Sequence, residues 1–188
     1  AEFIANLKQN QAAVNEAHAG PGSVSFTTCS LLASQLGVKP TRVAYRGTGP
    51  ALNDLVAGQV DFMCDQIVNV IEQIRAGSIK AYAIATPERS PALPDLPTTK
   101  EAGLPEFQVS AWNALFAPKN TPKPIVEKLN AALVKALDDD ATKKRLLDLG
   151  GVLPDGANRT PEALGAFVKS EVERWTPILK ATGAVATP

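Results

Sequence analysis

The stretch RGTGPALNDLVAGQVDFMCDQ, Arg46 to Gln66, decides the fold. It follows TRVAYR, Thr41 to Arg46, a short run with the composition of a strand. Gly47-Thr48-Gly49-Pro50 then turns the chain into a helix, where Pro50 suits the first helical position because a proline there sacrifices no useful N–H. The helix is predicted to end near Gly58. From Gln59 to Asp65, Val60, Phe62 and Cys64 alternate with Asp61, Met63 and Asp65, which is the two-residue period of a strand. Strand, glycine loop, helix and strand together form a parallel βαβ unit.

The same pattern extends in both directions. Upstream, Ala13 to Ala17 is predicted as a strand that ends at Ala19-Gly20-Pro21-Gly22, followed by a helix from Ser23 to Leu36 with Gly37 as its stop. Downstream, Ile67 to Arg75 is a short amphipathic helix closed by Gly77, and Ile79 to Thr86 is a fourth strand. An opening helix carries Phe3, Ile4 and Leu7 on one face. Because it starts without Met or a cap, the natural beginning of the chain is expected to lie further upstream. The alternation predicts an α/β lobe from Ala1 to Glu106.

Beyond that lobe the character changes. Pro87 to Pro97 (PERSPALPDLP) is too rich in proline for regular structure. A short helix near Thr98 to Ala102 and a strand from Phe107 to Ala117 are expected next. Ile125, Leu129, Leu133 and Leu137 then repeat at helical spacing, and Thr160-Pro161 opens a last helix with Leu164, Phe167, Val168, Trp175, Ile178 and Leu179 as its buried stripe. Residues 107–188 are therefore expected to be the C-terminal part of a second lobe, exposing apolar helix faces that invite oligomerisation.

Composition narrows the function. Nineteen basic and nineteen acidic residues cancel, so no net field recruits nucleic acid or an anionic membrane. No apolar run approaches the roughly 18 residues of a membrane span, so direct membrane insertion is not expected. His18 is the sole histidine, which excludes a multi-histidine metal centre, and no cofactor motif is present. Cys29 and Cys64 lack metal-ligand spacing. They read first as two small buried hydrophobes, with a single disulfide between neighbouring strand and helix ends as the alternative.

The candidate site is a set of loops on one rim. Gly20, Pro21, Gly22 and Ser23 form one strand-to-helix turn, and Gly47, Thr48 and Gly49 form another. In an open parallel sheet such turns gather at the C-terminal edge, where helix N-termini offer unpaired N–H groups to an anion. Glycine lets a ligand approach the backbone, and the Ser23 and Thr48 hydroxyls are expected to add donors. Capping and plain chain reversal remain the alternative for each loop. Neither loop has the lysine of a phosphate-binding P-loop. Asp65, at the end of the third strand, either caps the next helix or accepts a hydrogen bond from the ligand. Ser23 and His18 do not make a nucleophile and base: Ser23 lies outside a Gly-x-Ser-x-Gly turn and no third group orients them. Binding without catalysis is the expectation.

These residues also carry a resemblance. Ala19-Gly20-x-Gly22-Ser23, Tyr45-Arg46-Gly47-Thr48-x-Pro50-Ala51-Leu52 and Gly58-Gln59-Val60-Asp61-Phe62-Met63-x-Asp65 occur in order. Ser90-Pro91-x-Leu93-Pro94-Asp95-x-Pro97-Thr98, Glu101-Ala102-Gly103-Leu104-Pro105 and Leu115-Phe116-Ala117-Pro118 follow. Together they resemble the tripartite tricarboxylate transporter substrate-binding receptors, the Bug family, along nearly the whole chain. The resemblance implies a periplasmic, two-lobed α/β fold of the type II periplasmic-binding-protein kind. It also implies capture of a small carboxylate between the lobes and its delivery to membrane transporter subunits. It places the two glycine loops on the ligand-facing rim, Asp65 near the cleft, and Trp112 and Asn113 near the crossover between lobes. Phe26 stands where many relatives carry histidine, and His18 where a small residue is usual, which is expected to narrow or recharge the cleft. The N-terminal portion of a family member, with its own glycine-rich loop, is not in this sequence. A regulator's effector-binding domain and a truncated receptor that binds nothing are the competing readings.

Overall fold

The computed structural model describes residues 2–181. A first helix α1 (Glu2–Asn10) buries Leu7 and passes through one 3₁₀ turn (Gln11–Ala13) into strand β1 (Asn15–His18). Helix α2 (Val24–Leu36) begins at Ser23, whose hydroxyl accepts the Phe26 N–H, and stops at Gly37, which takes the left-handed conformation (φ 66°) a side chain resists. Strand β2 (Thr41–Ala44), helix α3 (Thr48–Val56), strand β3 (Phe62–Met63) and helix α4 (Ile67–Arg75) follow.

The three strands are parallel in the order β2-β1-β3, with His18 opposite Ala44 on one side and Ala17 opposite Met63 on the other. The chain therefore moves one way from β1 to β2 and back across β1 to reach β3. Right-handed crossovers then put α2 and α3 on opposite faces of the sheet. Packing follows that topology. One face buries Leu7, Val14, Cys29 and Phe62, with Phe3, Leu36 and Cys64 against them. The other buries Ala17, Ala51 and Val60 under Val43, Tyr45, Leu55 and Met63. Phe62 and Met63, adjacent in β3, point to different faces as pleating requires.

That topology corrects the preferred reading of the cysteines. Cys29 on α2 and Cys64 just beyond β3 form a disulfide, with Cα atoms 5.5 Å apart across a sequence separation of 35. Pairing β3 beside β1 brings them to one face, a consequence of strand order that spacing along the chain does not reveal.

Several predicted elements change. The first strand is Asn15–His18, displaced from Ala13–Ala17 because Ala13 completes the 3₁₀ turn. The third shrinks to Phe62–Met63. Ile79 to Thr86 is no strand of the sheet: it makes one isolated bridge, Ile84 to Thr98. Thr98 to Ala102 is a turn rather than a helix, closed by Ala102 N–H to Thr98 O and by reciprocal Thr98–Glu101 bonds. From Phe107 to Ala117, Val109 N–H reaches Ala85 O, and the Phe107 and Gln108 N–H groups bond only locally, to Leu104 O and Glu106 O. A strand exists through its ladder, and among the described residues this segment has none.

The proline-rich excursion is irregular, as expected. Arg89 holds it by pairing with the Glu101 carboxylate at 2.9 Å and donating to Pro94 O at 3.0 Å. The Arg89 bond and the Thr98 N–H bring the Glu101 carboxyl down to about 2.

The remaining chain is helical: α5 (Lys123–Asp138), α6 (Asp140–Asp148), a 3₁₀ turn (Gly156–Asn158) and α7 (Pro161–Ala181). The break between α5 and α6 is at Asp139, which is extended and caps Thr142 N–H with its carboxylate. No residue of α5, α6 or α7 is fully buried, so the predicted buried stripe on α7 is only half covered, and Phe167 is 43% exposed. The described residues divide into two compact units: one runs to Ala111 and takes in residues 178–181, and the other is Trp112–Pro177. Within the second, Trp112 packs edge-on to Phe167 at 5.2 Å and donates to Glu171.

Candidate functional site

The C-terminal ends of β1, β2 and β3 lie side by side, so the turns that leave them share one rim. Tyr45 N–H donates to His18 O at 2.9 Å, tying the exit of β2 to that of β1. Gly20 needs glycine for its backbone (φ 106°) rather than for space, since a Cβ there would make an ordinary 3.5 Å contact with Tyr45 O just beyond β2. Gly47 (φ 110°, ψ 171°) occupies backbone space that only glycine uses freely, and it is the N-cap of α3. Gly22 also has positive φ, and Pro21, Gly22 and Gly49 are exposed.

The two helix mouths differ. Ser23 caps α2 with its side chain, whereas Gly47 brings none to α3. By helix geometry the N–H groups of Gly47, Thr48 and Gly49 have no acceptor in the helix and Pro50 has no N–H to satisfy, while Ala51 N–H is the first that can reach the N-cap carbonyl. The α3 mouth thus combines the positive end of a helix with bare backbone donors, the chemistry that receives an anion.

Hydroxyl bonding departs from expectation. Thr48 Oγ1 donates to Asp65 Oδ2 at 2.9 Å, and Ser23 Oγ donates to Gly20 O at 2.7 Å. Neither hydroxyl proton is left for a ligand, because each side chain has one and spends it inside the protein. Asp65 acts as an anchor: Oδ1 accepts Gln66 N–H and Asn69 Nδ2–H, each at 2.7 Å, while Oδ2 takes Thr48. Gln66, not Asp65, is the N-cap of α4. The structure therefore joins Thr48 to Asp65 across the end of β1 and ties Gly20 to His18 and Ser23. Ser25 and Asn69 were missed by sequence reasoning. Ser25 Oγ accepts Ala19 N–H at 2.9 Å from a buried position, and Asn69 lies one helical turn from Asp65, a spacing that was available as a signal.

His18 neither narrows nor recharges an opening. It is buried, packs at a tilt against Phe26 with ring centroids 4.9 Å apart and accepts Gly20 N–H through Nδ1. Burial lowers its pKa from the ordinary 6.5, consistent with a neutral ring that accepts. On the same face of β1 lies Glu16, fully buried, with Arg42 Nε 3.7 Å from its carboxylate and no hydrogen bond to either oxygen. Arg42 also covers the Phe26 ring at 5.1 Å. Among the described residues no cluster of histidine, cysteine, aspartate or glutamate is arranged to hold a metal. No described helix is long and apolar enough to cross a membrane.

A parallel sheet that gathers glycine turns and a helix mouth on one rim defines an open parallel α/β protein, the class in which that rim is the usual place for a ligand. The family described as tripartite tricarboxylate transporter family receptor matches residues 1–184, and the chain belongs to it. The chain is 44% identical over 183 residues to the UPF0065 protein in the TAR-I ttuE-ttuC' intergenic region of Agrobacterium vitis, covering 97% of this chain and 53% of that protein. MatC from Rhodopseudomonas palustris with bound malate superposes with a TM-score of 0.92 at 52% identity, covering 95% of this chain and 60% of the other. The periplasmic binding protein BugD superposes with a TM-score of 0.91 at 42% identity, covering 97% and 61%. The α/β periplasmic-binding-protein fold is thus shared, and the chain spans about half the length of the curated relatives it matches.

Proposed function

We propose that the protein is a periplasmic receptor that captures a small organic acid and delivers it to a tripartite tricarboxylate-type membrane transporter, without chemistry of its own. The observation that carries this reading is the α3 mouth: Gly47 leaves the first-turn N–H groups bare, and the Thr48–Asp65 bond fixes them beside the Gly20–Ser23 turn. Backbone donors at a helix N-terminus satisfy a carboxylate with no compensating cation. The malate in a homologue of this fold supports the same ligand class.

In this reading Gly20, Pro21, Gly22, Ser23, Gly47, Thr48, Gly49 and Asp65 form one wall of the binding cleft. Ala1 to Glu106 is one nearly complete lobe, and residues 107–188 contribute to a second that closes on the ligand. The exposed apolar faces of α5 and α7 belong against further protein, whether more of the second lobe or another copy.

The test is calorimetry and thermal unfolding of the full-length protein against a panel of mono-, di- and tricarboxylates. A true ligand at a hundredfold excess over its Kd adds about 2.7 kcal/mol of stability. A panel that shifts nothing, with the protein folded, rejects the reading.

A further inference from the structure

We infer that Thr48 is a specificity residue that selects acids bearing a hydrogen-bond donor next to the carboxylate, an alcohol or an ammonium group, over the plain acid. The inference rests on the carboxylate-receptor reading above and adds the ligand's second functional group. It comes from following the protons around Asp65. Oδ1 is occupied by two donors, Gln66 N–H and Asn69 Nδ2–H, and Oδ2 receives the Thr48 hydroxyl. A threonine has one O–H and two lone pairs, so Thr48 Oγ1 faces any further partner as an acceptor only. Ser23, across the rim, has likewise committed its proton, to Gly20 O. The nearby backbone N–H groups are donors only. The rim therefore offers donors from the α3 mouth and an acceptor at Thr48. A bare carboxylate, which can only accept, satisfies the first and leaves the second unpaired.

Asp65 sets this polarity. Replacing it with asparagine keeps the amide oxygen where Gln66 N–H and Asn69 both donate, which turns the amide nitrogen toward Thr48. That nitrogen donates to Thr48 Oγ1, and the threonine proton is released toward the ligand. Asp65→Asn thus converts Thr48 from an acceptor to a donor without changing the shape of the site.

The experiment is calorimetry on full-length wild-type, Thr48→Val, Thr48→Ser and Asp65→Asn proteins. The probes are succinate, malate and aspartate, with phenylacetate and mandelate as an aromatic pair that differs by a hydroxyl beside the carboxylate. The wild type and Thr48→Ser are expected to bind the hydroxy or amino acid about fivefold to tenfold more tightly than the plain acid, the worth of one hydrogen bond. Malate against aspartate tells alcohol from ammonium. Thr48→Val also removes the bond that steadies the α3 mouth, so it is expected to weaken the hydroxy or amino acid more than the plain acid and lose that ratio, and Asp65→Asn is expected to shrink or reverse it. Equal losses for both acids in Thr48→Val, or no preference in the wild type, overturn the inference alone. Absence of binding to every acid overturns it together with the receptor reading.

Discussion

Glu16 is a carboxyl with no hydrogen-bond partner on either oxygen and a guanidinium 3.7 Å away, and burial lifts its pKa from 4.5 to about 7 against the pull of Arg42. The folded state thus holds this proton more tightly than the unfolded chain. Its contribution to stability is complete below about pH 4.5 and is lost as pH rises through about 7. Across that window the wild type is expected to lose roughly 1 to 3 kcal/mol that Glu16→Gln does not lose. Urea unfolding of the two proteins at pH 5 and pH 8 measures this, and parallel pH profiles would remove Glu16 as the cause. Gly47 is the other telling residue. At φ 110° and ψ 171° a side chain costs about 1 to 3 kcal/mol, so Gly47→Ala is expected to destabilise the unit and weaken acid binding together. A normal melting temperature in that variant would show that the loop relaxes without strain.

At the scale of elements, the disulfide ties α2 to the end of β3, one residue before Asp65. Closing a loop of this length restricts the unfolded chain, and Cys29→Ala with Cys64→Ala is expected to cost about 2 to 4 kcal/mol. Denaturant unfolding of the double variant, compared with reduced wild type, tests it. Agreement of the two is required, because each removes the same cross-link. Glycine-signalled helices were the legible elements. The stop at Gly37, the turn at Gly47 and the end of α4 near Gly77 are local conformational facts, written in one or two residues. The fourth strand was not legible in this sense, since alternation in IKAYAIAT describes a surface to be paired and says nothing about whether a partner lies beside it.

For the whole molecule, the two units differ in how well they cover apolar surface. The fully buried apolar side chains all lie in the first, while Ile125 and Leu129 on α5 and Phe167 on α7 are 49%, 42% and 43% exposed. A chain of these 188 residues is expected to self-associate as its concentration rises, through those helix faces. Sedimentation velocity across a hundredfold dilution checks this. Leu129→Glu with Phe167→Glu is expected to return it to a monomer, and wild-type behaviour that ignores concentration would mean the faces are not adhesive.

Local chemistry in the sequence was enough to determine the α/β class, the parallel order of strand, loop and helix, and the two glycine turns of the candidate site. Hydrogen-bond caps, proline positions and positive-φ glycines act over a few residues, and their signatures survive without knowledge of what packs against them. Tertiary structure alone decided that β3 lies beside β1, that Cys29 meets Cys64, that Glu16 is sealed from water and that the Thr48 proton belongs to Asp65. Each of these is a contact between residues distant in the chain, and the direction of a hydroxyl proton depends on which acceptor the fold brings within reach.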